Sequence, residues 1–114
     1  MADCIFCKIV EGSMPSEKVY EDDAVLAFKD IHAQAPVHLL VIPKRHIPSV
    51  REIGEEEGAL MGRIFAVINQ LAKEHGLADR GFRIVNNCGE EGGQTVHHIH
   101  FHLLGGRALT WPPG

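Results

Sequence analysis

A chain of 114 residues with 45% hydrophobic residues and a formal charge of −4 suits one domain, residues 1–114, built on a single modest core. No apolar run approaches the ~20 residues that a bilayer span needs, and the start MADCIFCKIVEG has no basic segment followed by an apolar stretch, so the expected compartment is the cytoplasm and no membrane partner is expected. Lys and Arg form no run, which argues against a dedicated nucleic-acid surface but leaves room for a small anionic ligand, since a pocket needs only local donors.

In chain order, CIFCKIVE (4–11) reads as a short helix stopped by Gly12. EKVYE (17–21), a turn at Asp22-Asp23 and AVLAF (24–28) read as a β-hairpin. Pro36 precedes a third strand, VHLLVI (37–42), which Pro43 ends. From Glu55 to His75, Leu60, Ile64, Val67, Ile68 and Leu71 recur at three- and four-residue spacing, and Gly76 is well placed as the C-terminal cap. FRIVNN (82–87) reads as a fourth strand. The loop CGEEGGQT (88–95) leads into a fifth, 96–104, and GGRALTWPPG closes the chain. Strands, one long helix, then strands, with no regular β-α-β alternation, predict an antiparallel-rich α+β domain: a five-stranded sheet, one long helix and a short N-terminal one. The long helix should cover the sheet face to which Ile99, Phe101 and Leu103 point.

The stretch HHIHFHLL (97–104) concentrates four of the eight histidines. Side chains two apart on a strand share a face at a spacing of about 6.6 Å, from a rise of about 3.3 Å per residue. His98, His100 and His102 therefore form a row, and His97 points the other way. Three readings compete: an exposed polar face, a metal site built from the row, and a catalytic row with one imidazole as nucleophile and its neighbours orienting it. Neutral imidazole suits attack on phosphorus, because a phosphoramidate intermediate is reactive enough to hydrolyse. Gly92, Gly93, Gln94 and Thr95 lead directly into the row. They combine close backbone approach with an amide and a hydroxyl, as an oxyanion would require.

The run His98-Ile99-His100-Phe101-His102-Leu103-Leu104 resembles the His-φ-His-φ-His-φ-φ signature of the histidine triad (HIT) family, where φ is apolar. FKDIHAQAPVHLLVIPKRHI (28–47), NNCGEEGGQT (86–95) and the terminal GGRALTWPPG extend the resemblance over nearly the whole chain. The tail is similar to that of the nucleotide-binding branch, the purine nucleoside phosphoramidases. The resemblance implies that His100 is the nucleophile, His102 contacts the phosphate and the leaving-group side, His98 supports, and His38 completes the cluster. It implies Asn87, Gly93, Gln94 and Thr95 on the phosphate side. The family more often has Ser where Thr95 stands, which keeps the hydroxyl and adds a methyl. It further implies Asp30 as acceptor from the ribose hydroxyls, and Ile31, Ile5, Phe6, Ile9 and Leu40 as the slot for the base. Read from the residues alone, Ile5, Phe6, Ile9 and Leu40 could equally be core, and Asp30 a turn residue.

Cys4, Cys7 and Cys88 are an odd set that argues against a disulfide framework. Cys4-x-x-Cys7 has three readings: a redox pair, whose β-α-β setting is missing, two unrelated thiols on a helix, or half of a zinc site with His46 as a candidate third ligand. A microbial subset of the resembled family pairs such cysteines with the histidine after IPK-x and with the first triad histidine. That implies a structural zinc on Cys4, Cys7, His46 and His98. Animal members lack the pair, which implies that the chemistry itself needs no metal. The resemblance also implies a homodimer; Met61 and Phe65 beside Leu60 and Ile64 widen the helix's apolar surface accordingly. The tail with Trp111, Pro112 and Pro113 would then lie near the partner's site.

The expected activity is hydrolysis of purine nucleoside 5′-phosphoramidates, of the AMP-amine or AMP-lysine type, through a covalent nucleotidyl-His100. The alternative from another class is a regulatory or scaffold protein that binds a purine nucleotide without turnover. A metal enzyme built on the triple histidine is the third reading, and Gln94-Thr95 counts against it.

Overall fold

The computed structural model describes residues 3–114. Helix α1 spans Ile5–Glu11, strand β1 Lys18–Glu21, β2 Val25–Lys29 and β3 Val37–Pro43. Helix α2 spans Gly58–Glu74, β4 Phe82–Val85 and β5 Phe101–Gly105. The five strands form one antiparallel sheet in the order β1-β2-β3-β5-β4. This is the expected α+β architecture. Among the described residues no helix is long and apolar enough to cross a membrane.

Local chemistry explains the elements. Asp22 Oδ1 accepts from the backbone N–H of Ala24 and Val25 at 2.7 and 2.8 Å, closing the β1–β2 turn. Arg63 of α2 pairs with Asp22 at 2.6 Å, tying helix to hairpin. Gly12 ends α1 with φ 88°, a left-handed conformation that L side chains avoid. The amphipathic α2 buries Ile64, Val67, Ile68, Leu71 and Ala72 against Val25, Ala27, Leu39, Val41, Phe101 and Leu103 of the sheet. The alternate residues of the inner strands, Leu26, Phe28, Leu40 and Ile42, pack on Phe6 and Ile9 of α1. The sheet is therefore covered on both faces at β2 and β3, and their apolar runs are nearly continuous for that reason.

Three boundaries differ from expectation by two residues or more. Helix α2 begins at Gly58 rather than Glu55, because Glu55–Glu57 form a separate 3-10 turn. The fourth strand ends at Val85 rather than Asn87, because the side chains of Asn86 and Asn87 bind backbone carbonyls instead: Asn86 Nδ2 donates to His100 O at 2.9 Å and Asn87 Nδ2 to Gly92 O at 2.7 Å. The fifth strand starts at Phe101, not at 96. Residues 96–100 lie beyond the end of β4, and Ile99 N–H donates to Ile47 O at 2.6 Å, outside the sheet ladder. Of the three row histidines only His102 sits within a sheet strand. Even so, Ile99 is fully buried in the α2-side core, His98 and His100 are buried, and His97 is exposed. The alternation survives without the ladder.

Candidate active site and metal centre

The register places the site. Leu40 of β3 lies opposite His102 of β5, and His38 opposite Leu104. His38, two residues from Leu40, is thus a diagonal neighbour of His102 on one face. His38 Nε2 and His102 Nδ1 are 2.9 Å apart, and Asp30 Oδ2 is 3.3 Å from His38 Nε2. The His100 ring lies 5.2 Å from that of His102 and 5.1 Å from Phe6, edge to face with both.

Partners that can only donate or only accept fix the ring tautomers, since a neutral imidazole carries one N–H. His98 O accepts from His100 Nδ1 at 2.8 Å, so the lone pair of His100 is on Nε2. Pro43 O accepts from His98 Nε2 at 2.8 Å, so the lone pair of His98 is on Nδ1. The backbone N–H of Gln34 donates to His38 Nδ1 at 3.0 Å. His38 Nε2 therefore bears the proton and donates it to His102 Nδ1, and His102 carries its own proton on Nε2. Burial lowers the pKa of His38, with Asp30 opposing, and that of His100. Burial, with His100 and His38 adding, brings His102 down to about 4. The row is neutral near pH 7.

One cavity of about 710 Å³ gathers most of the expected residues: Asp30, Ile31, His38, Leu40, Thr95, His100 and His102, with Ile5, Phe6 and Ile9 from α1. Phe6, Ile9 and Leu40 are buried in the α1-side core as well as facing the cavity, while Ile31 is 90% exposed. Phe28, Met14 and Gln34 also line it, and sequence reasoning did not single them out.

Two expected phosphate-side groups are committed elsewhere. Gln94 is buried; its Nε2 donates to Pro48 O at 2.7 Å and to Val96 O at 3.1 Å, and its Oε1 accepts from Gly89 N–H at 3.0 Å. Its amide braces the loop, and both of its donors already have acceptors. Asn87 likewise serves Gly92 O. Gly93 has φ 81°, and a Cβ on Gly92 would collide with the Cys88 carbonyl, so the loop requires glycine at both positions. Asn86, through His100 O, is a support that carried no signal in sequence.

At the other end of the row, Cys4, Cys7, His46 and His98 bring one donor atom each to within 4.8 Å of one another. Cys7 Sγ lies 3.2 Å from His46 Nδ1 and 3.6 Å from His98 Nδ1, and Cys4 Sγ lies 3.4 Å from His98 Nδ1. Two thiols and two imidazoles suit tetrahedral zinc. His98 has its lone pair toward the thiols and its other nitrogen on a carbonyl, as a metal-bound histidine requires. Asp30, His38 and His102 also cluster, but the Gln34 N–H places the His38 proton on Nε2, the atom a metal would need. That trio fits a hydrogen-bond relay and not a metal site.

Known proteins resemble nearly the whole chain. Residues 3–109 match the family model described as "Scavenger mRNA decapping enzyme C-term binding". A HIT-like protein of Synechococcus elongatus is 51% identical over 112 residues, covering 98% of this chain and 97% of that one. The crystal structure of a HIT family hydrolase from Legionella pneumophila is 48% identical, with a TM-score of 0.97 over 98% of this chain and 100% of that one. The chain belongs to the HIT family. A histidine triad nucleotide-binding protein from Candida albicans shares the fold at 33% identity and a TM-score of 0.82, over 96% of this chain and 83% of that one.

Proposed function

We propose that this HIT protein is a hydrolase that cleaves purine nucleoside 5′-phosphoramidates through a nucleotidyl-His100 intermediate. The observation that carries the reading is the ring of His100: Nδ1–H is held by His98 O, which leaves a neutral Nε2 lone pair on a ring that lines the cavity. The HIT relatives described as a hydrolase and as a nucleotide-binding protein support both halves of it.

The base would lie between Phe6, Ile9, Phe28 and Leu40, with Ile5 and Ile31 at the mouth, and Asp30 would accept from the ribose. Nε2 of His100 forms a bond to phosphorus as the P–N bond to the amine breaks, and the leaving nitrogen takes a proton from solvent, which the water of the second step returns. His102 Nε2–H donates to a phosphoryl oxygen, with Thr95 alongside. A donor held where charge develops stabilises the transition state with little reorganisation. Water then cleaves the phosphorus–His100 bond. Over the whole cycle one water supplies the hydroxyl on the released nucleotide and the proton on the amine. No metal enters these steps. Zinc on Cys4, Cys7, His46 and His98 would be structural, because four protein ligands leave no open position. It would hold the segment that carries His100.

The protein would act as a homodimer. Phe65 is 42% exposed on α2 and stacks edge-on with Phe101 at 5.5 Å, leaving an apolar surface for a second copy; light scattering at micromolar concentration should give twice the chain mass.

Intact-mass measurement on protein quenched during turnover of adenosine 5′-phosphoramidate tests the reaction. A gain of one nucleoside monophosphate in the wild type, absent in His100→Ala, is expected. Turnover without any adduct would overturn the covalent route. Tight nucleotide binding with neither turnover nor adduct would favour the regulatory reading.

A further inference from the structure

The relay that orients His102 is set from outside the histidine row. Gln34 sits in the loop between β2 and β3, and only its backbone N–H touches His38. Its carbonyl, in the next peptide group along the chain, accepts from Arg107 Nη2 at 2.8 Å. Arg107 follows β5 by two residues and is remote from Gln34 in sequence. The two segments are pressed together there: Gly106 has φ 95°, and a Cβ on it would come within 2.9 Å of Pro36 Cβ. Val37 and Gly105 pair directly beside this contact.

We propose that Arg107 is a positioning residue that sets the tautomer of His38, and through it the donor face of His102, by holding Gln34 in place through the carbonyl of the adjacent peptide group. This rests on the reaction proposed above only for its effect on rate. With Gln34 N–H on His38 Nδ1, the His38 proton must sit on Nε2, and His102 must accept on Nδ1 and present Nε2–H to the cavity. If the Gln34 N–H turns away, Asp30 Oδ2, 3.3 Å from Nε2, is the remaining group that favours Nε2–H, and the fraction of His38 that protonates Nδ1 presents Nε2 as an acceptor. His102 then protonates Nδ1 to meet it and turns a bare Nε2 toward the phosphoryl oxygen. In that fraction one lost backbone donor converts the group facing the substrate from donor to acceptor. The Arg107 guanidinium suits the clamp because it stays charged and holds a planar donor array. Asp30 Oδ1 already binds His32 N–H at 2.8 Å, and Gln34 Nε2 binds His32 O at 2.9 Å. The loop is therefore organised within itself, and Arg107 supplies its tie to β5.

The test is 15N NMR of the imidazoles, which separates protonated from bare ring nitrogens, combined with steady-state kinetics on adenosine 5′-phosphoramidate. In the wild type, His38 should show a bare Nδ1 and a protonated Nε2. In Arg107→Met, His38 should become a mixture of tautomers. kcat should fall about ten- to hundredfold, the scale expected when a reacting group is misoriented by a remote change, while KM stays within about twofold because the base and ribose contacts are intact. Arg107→Lys, which keeps a donor for Gln34 O, should recover most of both signals. Arg83→Met is the control: Arg83 donates to Thr110 O at 2.8 Å, so its loss loosens the tail without touching Gln34 and should leave His38 unchanged. A wild-type His38 protonated on Nδ1, or an Arg107→Met protein with wild-type His38 signals, overturns the proposal. If the wild type turns over no phosphoramidate, the same tautomer change in Arg107→Met still supports the clamp, and the reaction alone falls.

Discussion

His98 and His102 flank His100 at equal distance along the chain, yet they face opposite kinds of chemistry. His98 is fully buried, gives its Nε2 proton to Pro43 O, and turns a bare Nδ1 toward two sulfurs. His102 accepts a hydrogen bond on Nδ1 from His38 Nε2–H, beside a carboxylate, which leaves its own proton on Nε2 of a ring that lines the cavity. The residue type is the same. The difference lies in what the backbone offers each ring: a carbonyl in one case, and in the other a histidine whose own proton is placed by a peptide N–H. One end of the row is equipped as a ligand, the other as a hydrogen-bond donor. His100 between them is held by the carbonyl of His98, so the ligand end also fixes the orientation of the proposed nucleophile.

Removing the shared centre should have the largest effect. His100→Ala should abolish turnover, by several orders of magnitude as is usual for a lost covalent nucleophile, and leave nucleotide binding measurable by calorimetry. Retention of a tenth of the wild-type kcat would show that another group attacks. Next, the two ends should separate under mutation. His102→Gln should lower kcat about a hundredfold, the usual cost of one oxyanion donor, with metal content unchanged. Cys7→Ala should do the reverse: zinc is lost by elemental analysis, and the folded protein still turns over. If Cys7→Ala silences the enzyme at temperatures where it is folded, or if His102→Gln loses metal, the two ends are not distinct.

A smaller effect concerns stability alone. Burial first, then the neighbouring Cys4, pushes the Cys7 thiol up to about 11, so without a cation Cys7 stays protonated. A divalent ion reverses this by binding the thiolates, and it stabilises only the folded chain. Protein purified without chelator should carry one zinc per chain. Stripping it should lower the melting temperature by roughly 10 °C, as the loss of about 2–3 kcal/mol would do in a domain of this size. An unchanged melting temperature on stripping and on reloading would reduce Cys4-x-x-Cys7 to two thiols on a helix.

The same contrast explains what the sequence disclosed. α1, the hairpin, β3 and α2 were legible because their apolar periodicity coincides with burial, and Gly12, Asp22 and Pro36 mark their ends. The histidine row was legible because alternation survives even where the strand does not. Its start at 96 was misplaced because period-two burial cannot distinguish a sheet ladder from an extended segment held by Ile47 O. Gln94 was expected to face phosphate, since an amide in a glycine loop has the right chemistry; the structure spends it on Pro48 O and Val96 O. What decides the tautomers, namely Pro43 O, His98 O and Gln34 N–H, is main chain. Every residue carries those groups, so no residue pattern signals them.

The smallest predicted effect is a pH dependence that belongs to the donor end. Burial lowers His38 and brings His102 down to about 4, while an unfolded chain titrates near the ordinary value of about 6.5. Between those values the unfolded chain binds protons that the folded chain refuses, so stability rises with pH through this window. The contribution is complete above about pH 6.5 and is lost as pH falls toward 4. For His102 alone the loss by pH 5 should be roughly 1–2 kcal/mol. Chemical denaturation of zinc-free protein at pH 7 and pH 5 measures it, with metal release removed from the comparison. His98 is also lowered by burial and contributes in both proteins, so the informative quantity is the difference between wild type and His102→Gln. The variant should lose less stability over the interval. Equal losses would mean that His102 is as easily protonated folded as unfolded, and that the His38 proton does not occupy its Nδ1 lone pair.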